Sequence, residues 1–179
     1  AFKVTGGGSI NVPDDPTETD PDATGNGRAN YGFNAQPGGA GAPASGNFNY
    51  VNHVINGNLH VNGPVTDVDV VALNTDGTPK TARFSGTCTQ LVADCTFSVM
   101  VEDNGEPARD DQFGVTIAAG GEVLEARTMR VVRNGNIQFH DASLETEVDD
   151  STVRYGQTMR VTARLRRNRH HLGARRHAE

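Results

Sequence analysis

Apolar residues recur at every second position along most of the chain, and the three-and-four spacing of a helix is nearly absent. In "ANYGFNA", Ala29, Tyr31, Phe33 and Ala35 fall on one face. Phe48 and Tyr50 do the same in "FNYVNHV", and in "TDVDVVAL" Val68 and Val70 oppose Asp67 and Asp69. Each pattern is that of a half-buried strand. The series continues through 81–88, 95–102, 112–118, 127–133 and 136–140, punctuated by the turn sequences "TDGTP", "DNGEP", "AAGGE" and "RNGN". Short strands with Gly-rich turns at this spacing predict an all-β fold: a single antiparallel sandwich or jelly-roll-like domain, with a barrel as the alternative. "GGG" at 6–8 follows a short strand pattern and opens no helix, so it reads as a bulge or bend rather than a nucleotide loop.

Two stretches break the alternation. Residues 13–28, "PDDPTETDPDATGNGR", hold five carboxylates, three prolines and no large apolar side chain, the composition of a disordered loop or arm. After residue 140 comes a polar linker, then "TMRVTARLRR", in which Met159, Val161, Ala163 and Leu165 alternate with Arg160, Thr162, Arg164 and Arg166. This is an amphipathic strand with a cationic back, followed by a tail dense in Arg and His. The chain therefore divides into a β-domain at 1–140 and a linker, strand and basic tail at 141–179.

Composition narrows the class. With 179 residues the chain has room for one domain and its arms, and 35% hydrophobic content without any Trp implies a thin, sheet-like core. No stretch is long and apolar enough to span a bilayer, and no secretory leader is visible, so the sequence reads as a mature chain. Charge is uneven. Residues 1–126 carry 5 Lys and Arg against 16 Asp and Glu, net −11; residues 127–179 carry 11 against 6, net +5; together they make the −6 of the whole.

The two cysteines lie in "FSGTCTQLVADCTFSV". Period two places Phe84, Gly86 and Cys88 on one face before the turn, and Cys95, Phe97 and Val99 on one face after it. A hairpin then sets Cys88 opposite Cys95, which predicts a structural disulfide and an oxidising compartment. A redox pair would have two residues between its cysteines at a helix N-terminus, and neither condition holds.

"KVTGGGSI", "ANYGFNAQ", "GNFNYVNH", "NGNIQFH" and, above all, the cysteine hairpin running into "VEDNGEP" resemble the post-COAP-1 type domain of secreted and cell-surface bacterial proteins. The resemblance covers about residues 3–140. It implies an extracellular β-domain and supplies no active site. The 13–28 segment is longer than that pattern, and the segment after His140 lies outside it.

Candidate chemistry is sparse. "VEDNGEPARDDQF" gathers five carboxylates around an Asn-Gly turn. Glu102, Asp103, Asp110 and Asp111 are hard-oxygen candidates for calcium, although the spacing is not that of an EF-hand. The favoured reading is a solvated acidic surface turn. Glycosidase chemistry needs two facing carboxylates and aromatic sugar platforms, which the sequence does not offer, so no enzyme is expected. His53, His60, His140, His170, His171 and His177 form no Cys/His metal pattern, and no other cofactor is implied. The Arg-rich tail lacks aromatic residues for base stacking and the chain is acidic, so nucleic acid is not the expected partner. Cell-wall or matrix polyanions remain as partners, as does a second copy. Asp14, Asp15, Glu18, Asp20 and Asp22 of one subunit complement Arg160, Arg164, Arg166, Arg167 and Arg169 of another. The sequence thus points to a secreted structural subunit that self-assembles head to tail through the 158–166 strand, the strand completing its own sheet being the competing possibility. The alternative function is a cell-surface module binding calcium or polysaccharide at the acidic turn.

Overall fold

The computed structural model describes residues 2–18, 20, 23, 25–39, 41–54, 59–89, 94–106, 110–141, 144–146 and 163–165. It divides into a compact unit, Phe2–Asp141, and a second made of Ala1 and Ala142–Glu179. The described residues contain strands and turns and no helix, so no helix is long and apolar enough to cross a membrane.

The larger unit is one sheet of nine antiparallel strands: β1 (Phe2–Val12), β2 (Gly27–Gln36), β3 (Ser45–Asn52), β4 (Leu59–Leu73), β5 (Pro79–Thr87), β6 (Thr96–Glu102), β7 (Gln112–Ala119), β8 (Glu122–Val131) and β9 (Asn136–Asp141). Each of β1 to β7 pairs with its successor, and β9 returns to pair with the outer side of β1. The all-β expectation holds, and the connectivity is simpler than a jelly roll's: a meander with one return.

The alternation seen in the sequence decides which side chains turn inward. Tyr31, Phe33, Phe48, Tyr50, Phe84, Phe97 and Phe113 are buried, and their rings meet across the interior. Tyr31 of β2 stacks on Phe113 of β7 with centroids 3.9 Å apart, and Phe48 of β3 lies 4.7 Å from Phe97 of β6. Strands this far apart in sheet order touch only because the sheet curls. Each such ring contributes about 1.5–3 kcal/mol through burial, so the few aromatics carry much of a lean core.

Strand β4 makes the bend. Its first part, Leu59–Pro64, pairs with β3, and the part from Val65 onward pairs with β5, with a register shift between Val65 and Asp67. Backbones approach closely there: a Cβ on Gly63 would run into the Thr87 carbonyl, and one on Gly86 into the Pro64 carbonyl. At the other side of the curl, four residues connect Val131 to Asn136, a span of at most roughly 18 Å. Within it, Arg133 N donates to Ser9 O at 2.8 Å and Ser9 N to Asn134 O at 3.1 Å. The exit of β8 therefore runs beside β1, and the two ends of the sheet meet along a seam.

The glycines at 6–8 form neither bulge nor bend, because the β1–β2 register runs unbroken from Val4↔Ala35 to Val12↔Gly27. Space is the reason for two of them. A Cβ on Gly6 would sit 2.6 Å from the Phe33 ring, and one on Gly8 would strike the Asn134 carbonyl at the seam.

In the second unit, β10 (Leu144–Thr146) and β11 (Ala163–Leu165) pair antiparallel as a separate two-stranded sheet. Met159 and Val161 lie outside the described residues.

Cys88 and Cys95 form the disulfide that the hairpin face predicts, with Cα atoms 5.1 Å apart, inside the usual range for a bridge. Cys88 N donates to Cys95 O at 2.9 Å, extending the β5–β6 ladder to the bridge. Closing this short loop restricts the unfolded chain by about 2–3 kcal/mol. The intact chain is expected to show no alkylatable thiol before reduction, and reduction should lower its unfolding free energy in urea by that amount. Two titratable thiols in the native chain would contradict the bridge.

Candidate functional site

The acidic turn between β6 and β7 lies at the seam, against β9. Strand β9 gives one edge to β1, so the N–H groups of Ile137 and Phe139 on its other edge have no strand partner. Carboxylates take their place. Ile137 N donates to Asp111 Oδ2 at 2.8 Å and Phe139 N to Asp103 Oδ2 at 3.3 Å. Glu106 Oε1 accepts from the side-chain amides of Asn136 at 2.8 Å and Gln138 at 2.7 Å. Asp111 also accepts from Asn104 N through Oδ1 at 2.9 Å, and its carbonyl accepts from Val132 N at 2.8 Å. The turn itself closes through Gly105, at φ 87°, whose N–H donates to Asp103 Oδ1 at 2.8 Å.

A surface turn was expected here, and Asp111 departs from it. Its side chain is 0% exposed, because it is the residue that ties the turn to β9 and to the β8 exit. Burial pushes its carboxyl upward from the ordinary range, the two backbone N–H bonds pull it down, and the charges of Asp103 and Glu106 push it up again. The Tyr31 hydroxyl is buried without a hydrogen-bond partner among the described residues; burial first and the Asp111 charge second hold its proton more tightly than usual.

The four calcium candidates are used separately. Glu102 pairs with Lys80 at 3.1 Å, Asp103 and Asp111 cap β9, and Asp110 is exposed with its carbonyl accepting from Asn104 Nδ2 at 2.8 Å. Among the described residues, no group of three or more His, Cys, Asp or Glu is placed to hold a metal. Each of the three described histidines has its own neighbour: His140 contacts Thr5 Oγ1 at 2.8 Å, His53 Asn30 at 3.1 Å and His60 Asn49 at 3.3 Å, while His170, His171 and His177 lie outside the described residues.

The opposite edge, β8, is covered by the acidic arm. Ala126 N donates to Pro16 O at 2.9 Å, so the arm supplies one rung of a missing strand. The arm is also held from below by two buried arginines. Arg127 donates to the carbonyls of Asp15 at 2.6 Å, Glu18 at 3.4 Å and Pro13 at 3.4 Å. Arg130 donates to those of Ala23 at 3.0 Å and Asp20 at 2.5 Å. The composition of residues 13–28 predicts disorder because it counts side chains, whereas this segment is anchored through its backbone. Of its described carboxylates, Glu18 is half-buried and Asp20 is exposed. Asp14 and Asp15 are exposed, and Asp15 caps the local turn by accepting from Thr17 N at 2.8 Å and Thr17 Oγ1 at 2.9 Å, which lowers its pKa. Glu18 Oε1 accepts from Asp20 N at 2.8 Å. Asp22, Arg160, Arg166, Arg167 and Arg169 lie outside the described residues, and Arg164 falls within β11.

Arg127 is paired below the arm with Glu125, Nε to Oε1 at 2.6 Å, both side chains 0% exposed. Glu125 also accepts from Tyr50 Oη at 3.0 Å and from Asn52 Nδ2 at 3.0 and 2.9 Å. Burial, then the Glu125 charge, keep the Tyr50 proton bound. For Arg130, burial and the adjacent Arg127 charge lower the pKa from its ordinary value. The sequence contained a signal for this network that the strand at 127–133 did not capture: Glu125 and Arg127, two apart, put opposite charges on the inward face. The buried pair fixes the arm to the sheet through the carbonyls that Arg127 reaches.

No family model, curated protein or solved structure matches this chain.

Replacing Glu125 by Ala leaves the Arg127 guanidinium buried without its counter-charge, and removes the acceptor of Tyr50 and Asn52. The expected loss is about 3–5 kcal/mol of unfolding free energy, with faster proteolysis in the 13–23 arm. A loss below about 1 kcal/mol would show that the pair is not buried as described.

Proposed function

We propose that this chain is a non-catalytic, secreted subunit of an extracellular fibre or surface layer, assembled head to tail by its C-terminal strand. The observation that carries this reading is the shortness of the β11 pairing. Among the described residues, Ala163–Leu165 pairs with the three residues of β10 as a two-stranded sheet. A two-stranded ladder so short is not stable in water by itself. The surrounding sequence, alternating Met159, Val161, Ala163 and Leu165 with Arg160, Thr162, Arg164 and Arg166, needs an apolar surface to cover one face.

Other features agree with the proposal. The Cys88–Cys95 disulfide suits an oxidising compartment, as does the resemblance to post-COAP-1 domains. The acidic arm docks by its carbonyls and leaves Asp14 and Asp15 at the surface, where the Arg-rich tail of a second copy can lie against them; each exposed pair contributes only about 0–1 kcal/mol. Backbone pairing and apolar burial supply the rest. A heterologous contact of this kind repeats without closing, which gives a filament. Both edges of the sheet carry loop caps, so an incoming strand has to displace one, and assembly is slow.

Deleting residues 142–179 tests the proposal. The truncated chain is expected to remain a folded monomer by size-exclusion chromatography and circular dichroism, while the full chain forms regular polymers in electron micrographs. A truncated chain that still polymerises, or one that unfolds because the strand belongs to its own sheet, would overturn it.

A further inference from the structure

The outer face of β4–β7 bears a second kind of surface. By the strand register, Asp67, Ser85, Ser98 and Thr116 form one row across the four strands, and Thr87 and Thr96 pair in the next. Asp69 and Arg83 stand opposite each other at one end. The short hydroxyl side chains in the middle leave an open trough of about 500 Å³ bordered by Asp67, Asp69 and Arg83, a volume in the range of small-ligand sites.

The charged groups around the trough are uncommitted. Asp69 and Arg83 are cross-strand partners, yet no ion pair joins them, and Asp67, Asp69 and Arg83 are all exposed without a hydrogen-bond or ion-pair partner among the described residues. This contrasts with the seam, where Asp103, Glu106 and Asp111 are all engaged.

We infer that this trough binds a neutral, hydroxyl-rich saccharide segment. A carboxylate accepts from two neighbouring hydroxyls, a guanidinium donates to ring and hydroxyl oxygens, and Ser or Thr does either. Two carboxylates against one guanidinium make the rim net negative, which disfavours anionic polymers. Phe97 lines the trough but is buried with its ring packed on Phe48 in the core, so it gives a sugar no face to stack on, and affinity at one site is weak and grows when many copies face one polymer. The inference is independent of the assembly proposal: a monomer can carry it, and a filament can lack it.

The full chain can be titrated by affinity electrophoresis and calorimetry with four soluble neutral polysaccharides, dextran, laminarin, glucomannan and hydroxyethylcellulose, with polygalacturonate as the anionic comparison. Binding to at least one neutral polymer is expected, weakened about tenfold or more by Arg83→Ala and by Ser98→Tyr, which fills the floor. Both positions are exposed, and an unchanged thermal midpoint separates lost binding from lost folding. Should either variant melt early, Asp67→Asn with Asp69→Asn removes the carboxylate charge without adding bulk and is expected to weaken binding similarly. Absence of binding to all four neutral polymers, equal binding by the variants, or preference for polygalacturonate would each overturn the assignment.

Discussion

A sheet that curls without joining its last strands has two edges, and the backbone donors along them must find acceptors. In this chain the edges are β8 and β9, joined by four residues that run beside β1. An uncovered edge invites pairing with another chain, so its management decides whether the domain stays single. Here both edges are managed by carboxylate-rich loops. The 103–111 turn presents side-chain carboxylates to the N–H groups of β9, and the 13–23 arm presents backbone carbonyls to β8 and to the two arginines beneath it.

This arrangement explains why buried charge occurs in a domain with so small a core. Glu125, Arg127, Arg130 and Asp111 are all buried, and a buried charge is tolerated only with its hydrogen bonds made. Each of them lies where a loop must be fixed to the curled sheet. The apolar rings fill the interior, and the buried charges determine where the irregular segments attach. The carboxylates of the 103–111 turn belong to this division of labour, since they are the acceptors for the β9 amides.

Much of the architecture was legible because strand alternation is a local property. The faces containing Tyr31, Phe33, Phe48, Tyr50 and Phe84, and the pairing of Cys88 with Cys95, follow from counting by two. The seam was not legible, because it depends on which ends of the sheet meet. Asp111 looks in sequence like its neighbour Asp110, yet one is buried and the other exposed; only the position of Ile137, twenty-six residues on, distinguishes them. The docking of the arm was not legible for a similar reason: composition describes its side chains, and Arg127 holds its carbonyls. The register-dependent trough around Arg83 and Ser98 likewise needs the pairing of four strands to become visible.

With both edges capped, any strand that pairs there has to displace a cap. Native-state amide hydrogen exchange at Ile137 and Phe139 tests the capping most directly. Both amides face away from β1, so an uncapped edge would leave them exchanging rapidly. The capped seam predicts strong protection at Ile137, whose donor is buried against Asp111, and weaker protection at Phe139, whose bond to Asp103 is longer. Asp111→Ala should abolish the first while the central strands β5 and β6 stay protected. Free exchange at Ile137 in the unaltered chain would contradict the account.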